Sequence, residues 1–186
     1  MVHFDDRRPE FTPYGLTCER WTPKPMPRPD RHNEVELNLL DGGSLTYLMW
    51  GQRVSVHGGC LAAFWAAVPH QIVDFGEVNS YYVVTIPLAW VLNWNLPAGL
   101  VRRLLHGDMV QEKEPARAQS DYALLSQWND DLRRGHADRR EILLLELKAR
   151  LLRLAVGADT ESQHDVSGSP PAVRREYITK AEGMAQ

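Results

Sequence analysis

Between Asp30 and Asn38, five polar residues recur with a period of two and alternate with other residues. The polar residues at every second position are Asp30, His32, Glu34, Glu36 and Asn38. With Val35 and Leu37 between them, this alternation predicts a β-strand that has all five polar side chains on one face and ends at the 41–43 glycine turn. Carboxylate, imidazole and amide groups are costly to bury without partners. We therefore expect this face to line a cavity that holds water or a ligand.

Short apolar segments and glycine-rich turns alternate from residue 34 to residue 86. The predicted strands are Glu34–Leu40, Ser44–Trp50, Arg53–Val56, Cys60–Trp65, His70–Phe75 and Ser80–Ile86. The connections are too short for crossover helices, so the strands must pair mainly antiparallel. Several short strands at this spacing are typical of a barrel or jelly roll, which leaves few exposed edges.

The periodicity of the chain becomes helical after residue 86. The predicted helices are Pro87–Trp94, Pro97–His106, Ser120–Arg134 and Asp138–Val156. Gly135 supplies the end of the third helix, and Asp138 with Glu141 resembles a capping box at the start of the fourth. We expect the first two helices to cap the sheet. The predicted fold class is therefore mainly β with α, a β-barrel or jelly roll followed by a C-terminal two-helix hairpin.

The last predicted helix carries two apolar stripes on roughly opposite sides. The first stripe consists of Ile142, Leu145, Ala149, Leu152 and Val156. The second consists of Leu144, Leu147, Leu151 and Leu154. One stripe can pack on the preceding helix, while the other requires a second surface. We expect a homodimer whose interface is the second stripe; the alternative is a helix enclosed within one subunit, and the spacing alone does not assign the outer stripe.

The two ends of the chain differ in composition from its centre. Residues 1–29 contain six of the twelve prolines, which predicts an extended N-terminal arm. Tyr14–Trp21 is a candidate edge strand within it, and the arm either lies over the outside of the domain or becomes ordered over a ligand. Residues 157–172 are polar and predict a linker. A further helical pattern begins at Val173, so we expect the natural protein to continue beyond Gln186.

Charge and cysteine content exclude several classes of protein. The net charge is −3 and is evenly spread, so the chain lacks the basic surplus of a domain that binds DNA phosphates. No apolar run approaches the roughly 20 residues of a membrane span, and because residues 1–6 contain no apolar segment we expect no secretory leader. Cys18 and Cys60 are therefore expected to be reduced, in a cytoplasmic protein without a membrane partner.

The candidate chemistry centres on two histidines and one carboxylate. His70 begins a predicted strand, and together with His32 and Glu36 it forms a candidate site for a small polar molecule or for a divalent metal such as zinc or nickel. Trp65 is either a core residue or a stacking platform for a sugar ring. No nucleophile motif, phosphate-binding glycine loop or C-x-x-C pair occurs, so catalysis would depend on a metal.

Three further polar or reactive residues are not counted among the candidates for the site. We expect Glu34 and His57 to be solvated residues near turns, and Cys60 to be a small buried apolar residue.

Part of the chain resembles known signatures. His32-x-x-x-Glu36, the glycine pair at 42–43, and Gly59 followed by Pro69-His70 resemble the two halves of the cupin signature, with Asp30 in place of its first histidine. More specifically, the segments 31–38, 60–71 and 86–97 resemble the N-terminal cupin domain of AraC-family transcription regulators, and within that family the branch of the melibiose operon regulator.

The resemblance implies that successive segments of the chain have different functions. Its implied parts are an arm at 1–29, a cupin-like effector-binding barrel at 30–110, a dimerisation hairpin at 111–156, a linker at 157–172 and the start of a helix-turn-helix domain at 173–186. DNA would be bound only by the domain that begins there. The effector would be a small sugar inside the barrel, and the pocket roles carried over fall on His32, Glu36, Asn38, Trp65 and His70.

A second hypothesis is a metal-dependent cupin enzyme, such as a sugar isomerase or dioxygenase. His32, Glu36 and His70 would then be its metal ligands. The Asp30 substitution and the start of a DNA-binding segment favour the regulator, which is not an enzyme.

Overall fold

The computed structural model describes residues 4–159, with side chains up to residue 157. The predicted DNA-binding segment at 173–186 and most of the predicted linker lie outside these residues. The strands are β1 Thr17–Trp21, β2 Glu34–Leu40, β3 Ser44–Met49, β4 Gln52–His57, β5 Ala62–Trp65, β6 His70–Gly76, β7 Tyr81–Pro87 and β8 Val110–Gln111. The helices are α1 Leu88–Asn93, α2 Ala98–Leu105, α3 Ala118–Arg134 and α4 Ala137–Asp159.

The strands form two antiparallel sheets. One has the order β1-β7-β2-β5-β8 and the other the order β4-β3-β6. The polar strand β2 lies at the centre of the larger sheet, where Leu37 is paired with Ala63 of β5 and Val84 of β7. Both the antiparallel pairing and the mainly β fold with added helices are thereby confirmed. The two-residue strand β8 is too short to have been predicted from a pattern.

Two apolar cores lie on opposite faces of the larger sheet. The alternation of β2 directs Val35 and Leu37 to the core shared with the helices, while Leu40 joins Phe64 and Tyr47 in the core between the two sheets. Because Glu36 and Asn38 alternate with Leu37, they point into the space between the sheets. This geometry places the polar row inside the barrel.

The helices pack on the outer face of the larger sheet. Helix α3 ends at Gly135, which adopts a left-handed conformation with φ +69°, as predicted. Helix α4 begins one residue before Asp138 and continues past Gly157 to Asp159. Within residues 4–159 no helix is long and apolar enough to cross a membrane.

The predicted dimer interface on α4 is wrong. Leu147, Leu151 and Leu154 are 0% exposed and belong to the core beneath the helices, and Leu144 packs against that core. The stripe that faces outward is the first one, with Leu145 exposed by 64%. Both stripes have the spacing of a buried face, and the position of α3 and the sheet decides which of them is covered. Apolar spacing within one helix does not contain that information.

Candidate functional site

His32 lies between two carboxylates inside the barrel. Its Nδ1 is 2.9 Å from Oε2 of Glu34, and its Nε2 is 3.2 Å from Oε2 of Glu36. Because carboxylate oxygens only accept hydrogen bonds, both ring nitrogens donate and the ring is an imidazolium. Burial by itself would lower the pKa of His32, but the hydrogen bonds to Glu34 and Glu36 outweigh it and raise that pKa to about 9.

The polar row continues through Glu36 to the opposite sheet. Asn38 donates from Nδ2 to Oε1 of Glu36 over 2.9 Å, and its Oδ1 accepts from the hydroxyl of Tyr47 at 2.9 Å. Burial opposes ionisation of Glu36, yet the hydrogen bond from His32, the charge of His32 and the hydrogen bond from Asn38 lower its pKa. The buried groups therefore satisfy one another, as buried polar groups must.

His70 approaches Glu36 from the smaller sheet. Its Nδ1 donates to the carbonyl of Val68 over 2.9 Å, since that carbonyl can only accept. Burial lowers the pKa of His70, which leaves Nε2 as an unprotonated acceptor. This Nε2 is 3.9 Å from Oε2 of Glu36. The backbone of His70 also exchanges two hydrogen bonds with that of Asp30, which joins the two sheets at the site.

The N-terminal arm covers this end of the barrel. Arg8 binds the Asp30 carboxylate from Nη1 at 3.2 and 3.4 Å, and its guanidinium lies 3.5 Å above the ring of Tyr14. The Tyr14 hydroxyl donates to Asp30 over 3.1 Å, and the backbone N–H of Gly15 donates to Glu34 over 2.9 Å. The arm is thus attached directly to the polar row.

A small cavity remains between the arm and the two sheets. Its volume is about 20 Å³, which is enough for about one water molecule. It is lined by Phe4, Tyr14, Thr17, Trp21, Met26, Asp30, Glu36, Tyr47, His70, Ile72, Tyr81, Val83 and Thr85.

The predicted site residues separate into three groups. Glu36 and His70 line the cavity, whereas His32 and Asn38 are hydrogen-bonded to Glu36 from outside the lining. Trp65 is not part of the pocket: it packs in the core beneath the helices, on the other face of the larger sheet, and donates to Asn33 over 3.1 Å. Successive side chains of a strand point to opposite faces, and in β5 it is Phe64, not Trp65, that lies on the inner face.

Glu34 also differs from its prediction, because it is buried beside His32. The expected exposure of His57 and the burial of Cys60 are confirmed.

Several cavity residues were not predicted. Trp21 and Tyr14 come from the segment predicted as an edge strand, and Tyr81 and Thr85 come from β7. The signal for β7 is its alternation, because residues 81, 83 and 85 share one face of a strand next to the inner face of β2. The arm residues carry no such signal, since nothing in their pattern gives their position over the barrel.

Three side chains of the site could supply donor atoms to a metal ion, but their present hydrogen bonds do not allow them to bind one together. Single donor atoms of Asp30, His32 and His70 lie within 4.8 Å of one another. However, the Asp30 oxygens accept from Arg8, from Tyr14 and from the Arg31 N–H, and both His32 nitrogens donate to carboxylates. Metal ligands must be deprotonated and have a free lone pair. His70 alone of the three meets this requirement.

No family model matches the chain, but its fold has solved counterparts. The apo form of a ToxT variant from Vibrio cholerae superposes with a TM-score of 0.54 at 9% identity, covering 94% of this chain and 67% of that one. The AraC-like transcriptional activator CuxR gives a TM-score of 0.47 at 8% identity, covering 82% and 51%. At such identities the likeness to ToxT concerns the fold alone.

The chain is also similar in sequence to a curated protein. A curated protein of Escherichia coli is 28% identical over 141 residues, which are 76% of this chain and 46% of that protein. The chain thus spans about half the length of the curated relatives it matches. In sequence and in fold, the chain is similar to the ligand-binding domain of AraC-type transcription regulators. The Escherichia coli relative is the melibiose operon regulatory protein, so the predicted resemblance is confirmed.

Proposed function

We propose that this chain senses a small sugar and forms the dimer of a DNA-binding transcription regulator, with DNA bound by residues beyond those described. The observation that carries the proposal is the buried row from Asp30 to Asn38, which presents Glu36 to an internal cavity. The curated relative is named for the operon of a disaccharide, which supports a sugar as the effector. Hydroxyl-rich ligands suit a pocket of carboxylate, imidazole and phenol groups.

Binding of a sugar requires the arm to move. A cavity of about 20 Å³ is far smaller than the roughly 300 Å³ of an ordinary ligand pocket. Phe4, Tyr14, Trp21 and Met26 form its cover, and all four precede the polar row in the chain. The arm would lift to admit the ligand and then become ordered again over it.

In this proposal Trp21 has the stacking role that was one of the two alternatives for Trp65. Its ring lines the cavity and lies 6.5 Å from Tyr81 and from Tyr14, centroid to centroid. An indole face beside hydrogen-bonding groups is a common platform for the apolar face of a sugar ring.

The dimer would form through the outward stripe of α4. Its members Ile142, Leu145, Ala149, Leu152 and Val156 are exposed. They follow one another at intervals of three and four residues, which is the heptad spacing of a helix that pairs with a copy of itself. The partner that would cover this stripe is therefore a second copy of this chain.

The sensing proposal is tested by the melting temperature of the 186-residue chain with mono- and disaccharides, melibiose included, each with and without chelator. At 100 times its dissociation constant a ligand adds about 2.7 kcal/mol, which raises the melting temperature of a domain of this size by about 5–10 °C. Glu36→Gln should abolish that rise, while Trp65→Phe should retain it. No response to any sugar would contradict the proposal, and a chelator-induced drop instead would favour the metal-enzyme hypothesis.

A further inference from the structure

Aromatic rings and carboxylates surround the small cavity. The carboxylates are those of Asp30 and Glu36, and the five rings are those of Phe4, Tyr14, Trp21, Tyr47 and Tyr81. Among residues 4–159 no lysine or arginine belongs to the lining. The face of an aromatic ring attracts a cation, and aromatic cages commonly bind organic ammonium groups. The lining therefore has the composition of a site for a cation.

The buried charges around the cavity do not balance. Three carboxylates of the polar row are buried there, those of Asp30, Glu34 and Glu36. The cations that pair with them are two, Arg8 and His32. Burial lowers the pKa of His70, so that ring adds no charge. Because a buried charge without a counter-charge is costly, a ligand that brings one positive charge would stabilise the site.

Two hydrogen-bond acceptors face each other in the cavity. Oε2 of Glu36 and Nε2 of His70 are 3.9 Å apart. A ligand hydroxyl has one hydrogen, so it can donate to only one of them. An ammonium group has three N–H donors and no lone pair, so it can donate to both. It is also about the size of the single water molecule for which the cavity of about 20 Å³ has room.

One wall of the cavity already holds a cation. The Arg8 guanidinium lies 3.5 Å from the centroid of the Tyr14 ring, and its Nη1 binds Asp30. Its Nη2 is buried and has no hydrogen-bond partner within residues 4–159. The ring face and the carboxylate thus hold a guanidinium of which one nitrogen lacks an acceptor. Because Nη2 could also bind an anion, an anionic ligand must be included in the test.

We infer that the ligand of this cavity carries a protonated primary amine, whose nitrogen binds between Glu36 and His70 within the aromatic lining. The inference rests on the proposed sugar-sensing function and specifies an amino sugar as the effector. It separates amino sugars from neutral sugars with the same ring, which bring no charge to the site.

Calorimetric titration of the 186-residue chain at about pH 6, where an ordinary amine is protonated, tests the charge of the ligand. Galactose and galactosamine form a matched pair, because an amine replaces one hydroxyl of the same ring. We expect galactosamine to bind at least about tenfold more tightly, since a desolvated cation over an aromatic ring gains about that much. Equal or weaker binding of galactosamine overturns the inference while leaving the sugar-sensing function intact.

Two further ligands separate the alternatives. Galacturonate carries an anion on the same ring, and if it binds more tightly than galactosamine, the inference is overturned and Arg8 is the group that selects the ligand. Methylammonium carries the amine without a sugar. Binding of methylammonium but of no sugar would support the ammonium site and contradict the sugar-sensing function. Absence of binding by all four ligands contradicts both.

Glu36→Gln tests the carboxylate. The amide keeps an acceptor oxygen but loses the charge, so galactosamine should bind at least about tenfold more weakly. The control is Glu19→Gln, because the Glu19 carboxylate accepts from Trp21 Nε1 over 3.1 Å but lies outside the cavity lining. This control should bind galactosamine as the wild type does. Undiminished binding by Glu36→Gln overturns the inference.

Trp21→Leu provides a second measurement in case Glu36→Gln does not fold. Trp21 is half-buried on an edge strand, and retention of the fold can be checked by circular dichroism. Loss of the ring should lower the affinity for galactosamine more than that for galactose, because only the amine gains from the cation–π contact. An unchanged ratio of the two affinities overturns the inference.

Discussion

Arg150 of α4 binds Asp121 of α3 through two parallel hydrogen bonds, each 2.7 Å long. Both side chains are 3% exposed. Arg150 also donates from Nη2 to Glu112 over 2.6 Å, and the other oxygen of Glu112 accepts from the Leu61 N–H at 3.3 Å. The helical hairpin is thereby bound to the edge of the larger sheet.

Arg150→Ala should therefore destabilise the chain by about 3–5 kcal/mol, because Asp121 is left buried without a compensating charge. Urea unfolding provides the measurement. The exposed pair between Arg53 and Asp74 supplies the control, since Arg53→Ala should cost less than about 1 kcal/mol. Equal effects of the two substitutions would contradict a structural role for the buried pair.

The His32 site predicts a specific dependence of stability on pH. The pKa of His32 is raised from 6.5 to about 9, so the folded state binds the proton more tightly than the unfolded state. This contribution of about 3 kcal/mol is fully present below pH 6.5 and is lost as the pH rises through about 9. Burial lowers the pKa of His70, so its contribution has the opposite sign and is lost as the pH falls below 6.5.

Urea unfolding between about pH 6.5 and 9.5 should show the loss due to His32. His32→Gln should remove the slope in that range, because the amide does not titrate. A slope that persists unchanged in His32→Gln would assign it to other groups.

The outward stripe of α4 predicts a matched pair of variants. Leu145→Glu with Leu152→Glu should convert a dimer to a monomer in sedimentation experiments without changing the circular dichroism spectrum, because both side chains are exposed. Leu147→Glu with Leu151→Glu should instead prevent folding, since it buries two carboxylates in the core. A wild-type monomer at all concentrations, or a dimer that survives the first pair, would reject this interface.

Divalent metals should not stabilise the protein. Both nitrogens of His32 donate to carboxylates, and Asp30 is bound by Arg8 and Tyr14, so zinc or nickel would have to displace several hydrogen bonds. We expect the melting temperature to be the same with chelator as with either metal. Stoichiometric metal in the purified protein would show that the site rearranges to bind it.

The sequence predicts where the strands lie along the chain. It predicts less well which face of a strand or helix is buried against its neighbours. The row from Asp30 to Asn38 was recognisable because a period of two defines a face by itself, and its burial follows from the cost of leaving such groups unpaired. The segment Ala62–Trp65 is buried on both faces, so its pattern contains no alternation from which to place Trp65. Similarly, α4 is apolar on two sides, and only its neighbours determine which side is covered.

The arm shows a different limit of sequence reasoning. Its contacts join residues far apart in the chain, as between Arg8 and Asp30 or Gly15 and Glu34. Such pairings produce no periodic pattern of polar and apolar residues in the sequence. Asp30, Glu36 and His70 were therefore the predicted part of the cavity lining, whereas the residues from the arm, from β3 and β7, and Ile72 of β6 were missed.

The positive charge at the centre of the site is part of the polypeptide itself. A barrel that relied on a bound ion would vary in occupancy with the supply of that ion in its surroundings. His32 is present once in every copy, and at neutral pH it is protonated in nearly all of them. The charge that His32 places beside Glu36 is consequently the same in nearly every copy of the protein at neutral pH.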